Sequence, residues 1–142
     1  MSPLIERILD ADNLIIGSPI YLSEPTSHYR ALLERLIFCI LSYDNHSSYY
    51  EGKVNVALFY TMNAPKDYYE TMMKQYLESS AQVFNMLNGE VEIYPVFNTL
   101  QVNDYSKYSM AAFDEKNKKL NHEKQFPIDL ETAFEIGARL SK

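Results

Sequence analysis

Two short stretches bring together the residue types that grip a flat ligand. Ser18-Pro19-Ile20-Tyr21-Leu22-Ser23 sets a rigid proline beside a phenol ring, aliphatic side chains and hydroxyls. Thr61-Met62-Asn63-Ala64-Pro65 adds a hydroxyl, an adaptable amide and a thioether. Pro19 stiffens the first stretch, which lets the following backbone N–H groups aim at ring nitrogen and carbonyl atoms. Tyr21 and Leu22 supply flat apolar surface, and Thr61 and Asn63 supply hydrogen bonds. Ordinary turn chemistry is the competing reading of both stretches.

Other kinds of chemistry find less support. His28, His46 and His122 lie far apart and lack metal-ligand spacing. The single cysteine, Cys39, sits in the apolar run Leu36–Leu41. It is expected to be a buried thiol, and alone it allows neither an internal disulfide nor a paired-cysteine metal site. No nucleophile-elbow motif occurs. With only four glycines there is no glycine-rich phosphate loop. The carboxylates are scattered along helical segments, the pattern of a soluble surface. No catalytic side chain and no metal ligand is assigned.

The elements around these stretches alternate. Ser2-Pro3 opens a helix with Leu4, Ile5, Ile8 and Leu9 on one face. Leu14-Ile15-Ile16 reads as a strand buried on both faces, ending at Pro19. Tyr29, Leu32, Leu33, Leu36 and Ile37 mark the next helix, with Arg30 and Glu34 paired on its outer side. Val54 to Tyr60 is a second strand. A long helix is expected from Asp67 to about Asn88, where Asn88-Gly89 stops it. Val91 to Phe97 is a third strand, and a last helix begins at Asp129 with Leu130, Ala133, Phe134, Gly137 and Leu140 inward. Between them Met110 to Lys124 suits a solvated helix with Glu115 and Lys119 paired. Such alternation argues for an α/β fold with a parallel sheet and right-handed crossovers. In open parallel sheets ligands bind where strands end, which is where both stretches fall.

Bulk properties narrow the class. The 142 residues suit one domain, and 46% apolar content supports a core. A net charge of −6 without a basic stripe argues against nucleic acid. No apolar run is long enough to span a membrane, and no leader pattern opens the chain, so a cytoplasmic protein is expected.

Ala11-Asp12-Asn13-Leu14-Ile15-Ile16-Gly17-Ser18-Pro19-Ile20-Tyr21, followed by Arg30-Ala31-Leu32-Leu33-Glu34-Arg35-Leu36, resembles the central strand, flavin loop and next helix of flavodoxin-like NAD(P)H-dependent FMN reductases, a group that includes iron–sulfur flavoproteins. Tyr60 to Pro65, Asn103 to Tyr108 and Gln125 to Asp129 resemble a bacterial subgroup of that family. The resemblance covers essentially the whole chain. It implies a three-layer flavodoxin-like fold and a flavin- or quinone-reductase activity, with hydride passing from NAD(P)H through bound FMN to a small-molecule acceptor. It assigns Ser18, Pro19, Ile20, Tyr21 and Leu22 to one ring-wrapping loop and Thr61, Met62 and Asn63 to the other. Asn98 and Thr99 would border the site, and Leu100 stands where the family often has tyrosine.

The resemblance also implies that residues 1–142 are the C-terminal two-thirds of such a domain. The first two strands, the phosphate loop and any iron–sulfur ligands would lie outside it. The FMN phosphate would then lack the helix N-terminus that ordinarily holds it. Charge-assisted contacts contribute about 1.5–3 kcal/mol each, so FMN is expected to bind weakly or not at all. Two further expectations follow. The chain alone would be an impaired reductase or, as the alternative, a non-catalytic fragment or subunit that needs an N-terminal partner to bind FMN. Its open sheet edge would lead to a homo-oligomer or to completion by an N-terminal fragment.

Overall fold

The computed structural model describes residues 2–141. It is an α/β protein built on a four-stranded, mostly parallel sheet of order β2-β1-β3-β4. The elements run α1 (Pro3–Leu9), β1 (Asn13–Tyr21), β2 (Glu24–Pro25), α2 (Ser27–Ile40) and β3 (Val54–Thr61). A composite helix follows as α3 (Lys66–Tyr68), a π-helical turn (Tyr69–Met73), α4 (Lys74–Ala81) and a 3₁₀ segment (Gln82–Leu87). Then come β4 (Asn88–Val96), a 3₁₀ turn (Tyr105–Lys107), α5 (Glu115–Lys124) and α6 (Phe126–Leu140).

β3 pairs in parallel with both β1 and β4, aligning Leu14, Val56 and Val91, then Ile16, Leu58 and Ile93. Aligned residues share a sheet face. This face is the core: Val54, Val56, Leu58 and Tyr60 are fully buried with Leu36, Leu77, Phe84 and Leu87 from the helices above. Burying each such aliphatic side chain contributes about 1.5–3 kcal/mol. Within it the Tyr29 and Tyr60 hydroxyls meet at 2.9 Å, and burial raises the pKa of both phenols. On the opposite face α6 covers β4, where the Tyr94 hydroxyl donates to Asp129 at 3.0 Å and Arg139 pairs with Glu92.

The composite helix takes its odd geometry from its apolar spacing. Tyr69, Met73, Leu77 and Ala81 recur every fourth residue and are all buried. A 3.6-residue repeat would rotate them off the sheet, and the wide π turn resets the phase. Ala81, Phe84 and Leu87 then recur every third residue, the 3₁₀ repeat. Asn88 closes the helix in a left-handed conformation at φ 61°. At Gly89 a β-carbon would lie 2.0 Å from the Val54 carbonyl oxygen, so only glycine fits.

Several sequence expectations need correction. β1 does not stop at Pro19 but runs on to Tyr21. The Asn55 amide donates to the Asp12 carbonyl, which directs the backbone groups of even-numbered β1 residues to β3 and those of odd-numbered ones away. Pro19 therefore deprives the ladder of nothing. β1 is also not buried on both faces, since Ile15 is 57% exposed. Cys39 is exposed rather than buried. α6 begins at Phe126, not Asp129, and turns Asp129 and Ile136 inward while Leu130 and Phe134 stay exposed. The pairs Arg30–Glu34 at 2.8 Å and Glu115–Lys119 at 2.5 Å do form.

Candidate functional site

The two stretches singled out in the sequence emerge side by side. Pro19 of β1 is the register partner of Thr61 of β3, and Thr61 is the partner of Val96 of β4. The site thus lies where three parallel strands release their chains, the usual binding edge of such a sheet.

The first stretch is a tight hairpin. Tyr21 pairs with Glu24, and the intervening Leu22 and Ser23 adopt φ 52° and 70°. Positive φ at both central residues is the type I′ turn that suits the twist of a hairpin. Here residues other than glycine hold it, at about 1–2 kcal/mol each. The buried Ser18 hydroxyl locks the base, accepting from the Thr26 amide at 3.1 Å and donating to the Pro19 carbonyl at 3.0 Å. Thr26 in turn caps α2 by accepting from the Tyr29 amide. The hairpin tip consequently holds Tyr21 65% exposed and Leu22 fully exposed.

The second stretch is braced from behind. The Met62 amide donates to Val96 at 2.9 Å, and its carbonyl accepts from the Thr99 amide at 3.0 Å and hydroxyl at 3.1 Å. The Asn98 amide donates to Ala64 at 2.9 Å. Lys118, only 3% exposed, donates to the Asn63 carbonyl and the Asn98 Oδ1, each at 3.0 Å, and reaches the Thr99 carbonyl at 3.5 Å. Burial holds this ammonium below the usual lysine range. The Asn63 Oδ1 is buried with no hydrogen-bond partner among the described residues. An open cleft of about 590 Å³ runs beside this loop, lined by Pro65, Lys66, Tyr94, Asn98 and Asp129 among others.

The assigned residues divide by where their side chains go. Tyr21, Leu22 and Thr61 are exposed, and Pro19 and Asn63 are half-buried. Ser18, Ile20 and Met62 point into the interior and can meet a ligand only through their backbone. Asn98 and Thr99 stiffen the second loop, while Leu100 lines a separate small cleft of about 110 Å³ with Asn121 and His122. Lys118 was not singled out in the sequence. The available signal was its helical phase: Asp114, Lys118 and Asn121 share one stripe, with Asp114 capping α5 and Asn121 bonding to Phe97 and Asn98.

Among the described residues, no group of three or more His, Cys, Asp or Glu side chains is placed to hold a metal ion. Among them too, no helix is long and apolar enough to cross a membrane. Compared with protein-family models and with curated proteins, the chain matches none.

Proposed function

We propose that this chain seats the isoalloxazine ring of FMN against the hairpin tip Tyr21-Leu22 and the loop Thr61–Asn63, as part of an NAD(P)H-dependent flavin or quinone reductase. The observation that carries the reading is the pairing of Pro19 with Thr61, which brings the two loops together at the carboxyl ends of adjacent parallel strands. Two others support it. A fully exposed leucine beside an exposed tyrosine offers a flat apolar wall, and the exposed Thr61 places a hydroxyl in the adjoining loop. On this reading the fold is flavodoxin-like, and β1, β3 and β4 correspond to its last three strands, with α6 on the face opposite α1, α2 and α4.

The ring fits these residues, but the phosphate does not. The first turn of α2 is capped by Thr26, that of α5 by Asp114, and no glycine takes a left-handed conformation. Neither of these two helix starts therefore offers the free, glycine-lined anion cradle that usually holds a phosphate. This favours, as a second reading, a non-catalytic flavodoxin-like subunit that completes its FMN site with separate polypeptide. When bound, FMN supplies the hydride-accepting chemistry; these residues orient the ring and shield one side of it from water.

Fluorescence titration with lumiflavin, which has the ring but no phosphate, and with FMN tests this. Similar affinities, within about tenfold, are expected for both, with Tyr21→Ser and Leu22→Ser weakening each. No binding of either would overturn the ring site. FMN binding far tighter than lumiflavin would overturn the account of the phosphate. Oxidation of NADPH by the FMN-saturated chain, with a quinone as acceptor, separates the enzyme from the non-catalytic subunit.

A further inference from the structure

β1 leaves most of its outer side unpaired. β2 reaches only Ile20 and Tyr21. Below them the backbone groups of Asn13, Ile15 and Gly17 face away from β3, by the phase the Asn55–Asp12 bond sets. Among the described residues these groups bond to no other element. The usual protections of a free edge are missing here: no charged residue occurs from Asn13 to Pro19, no bulge interrupts the β1–β3 register, and the proline comes only at position 19. Ile15 is 57% exposed at the middle of this edge, and Gly17 is exposed with nothing within 4 Å of where a β-carbon would be.

We infer that two copies of this chain join edge to edge through Asn13–Gly17, antiparallel, with Ile15 of one copy opposite Ile15 of the other. The edge is complementary to itself in that register. The outward residues lie at odd positions, so a two-fold axis at Ile15 sets Asn13 opposite the second copy's Gly17, and Gly17 opposite its Asn13. Each facing pair exchanges two backbone bonds, giving about six in all. Side chains directly opposite share a face, so the two exposed Ile15 side chains cover each other. Leu14 likewise faces the second copy's Ile16 across the closer, non-hydrogen-bonded spacing. Charge points to the same segment: on a chain of net charge −6, this uncharged run lets two copies approach without direct like-charge contact. Closed two-fold symmetry also satisfies the edge without leading to open-ended assembly. The two sheets become one continuous sheet.

Sedimentation velocity over a range of concentrations tests the dimer. A concentration-dependent monomer–dimer equilibrium is expected for the intact chain. Ile15→Lys sets like charges opposite one another, and Gly17→Pro removes an outward N–H while leaving the β3 ladder untouched. Each should raise the dissociation constant by more than about tenfold, with circular dichroism confirming that the fold is kept. Register is tested by oxidation in a Cys39→Ser background, which removes the exposed native thiol. Ile15→Cys should form an intermolecular disulfide. Gly17→Cys should not, because its counterpart would lie roughly 13 Å away along the strand. A monomer at all concentrations would overturn the inference. So would a dimer that both edge variants leave intact, which would assign assembly to another surface such as the groove between α2 and α4, lined by Leu33, Ile37, Phe38, Leu41 and Ser80.

Discussion

At the scale of single residues, Lys118 is the side chain on which the geometry of the second loop most depends. Its ammonium is the donor for acceptors on Asn63, after β3, and on Asn98 and Thr99, after β4, and so ties two connections together. Lys118→Met would keep the aliphatic stem and leave those acceptors without their donor, at a cost of about 2–4 kcal/mol, measurable by urea unfolding. The pH dependence should carry the same signature. Burial lowers the folded-state pKa of Lys118 from 10.5, so the unfolded chain binds more protons between the two values. Stability contributed at this site should therefore rise with pH through that window. Subtracting the Lys118→Met profile isolates the effect, and a difference that falls with rising pH would refute it. Beyond the helical phase that Lys118 shares with Asp114 and Asn121, none of this was legible in the sequence. Lys118 sits in a charged run whose simplest reading is a wet helix face, and its acceptors come from residues far away in the chain.

At the scale of elements, the sequence was most informative where apolar spacing was strict. The strand Val54 to Tyr60 and the stripe Tyr29, Leu33, Leu36 were read correctly because burial alone sets them. The reading failed where one polar contact overrode hydropathy. On α6, Asp129 takes an inward place because Tyr94 and Gln125 donate to it, and Leu130 and Phe134 are rotated outward. It also failed at β1, because an apolar run does not distinguish a central strand from an edge. The junction between the composite helix and β4 gives a sharper test. Gly89→Ala would drive a methyl group into the Val54 carbonyl. Destabilisation of at least about 2 kcal/mol is expected, since the obstacle is backbone that cannot swing aside. A thermal melt unchanged from wild type would contradict the tight approach of β4 to β3 at that point.

For the whole molecule, the parallel order of β1, β3 and β4 does two things at once. It sends the hairpin Ser18–Ser23 and the loop Thr61–Pro65 out from the same edge of the sheet, and it leaves the flank of β1 open. The first was legible in the sequence, because alternating elements and right-handed crossovers fix which strand ends point the same way. The second was expected only through a family resemblance, and the self-matching register of that flank required the hydrogen-bond phase seen in the structure. The most direct test of the paired-loop site is an amide NMR map of the chain on titration with lumiflavin. The largest shifts should fall on Tyr21, Leu22, Ser23, Thr61 and Asn63 together, with the α2–α4 groove unaffected. Shifts confined to one of the two loops, or centred on that groove, would contradict a ring seated between them.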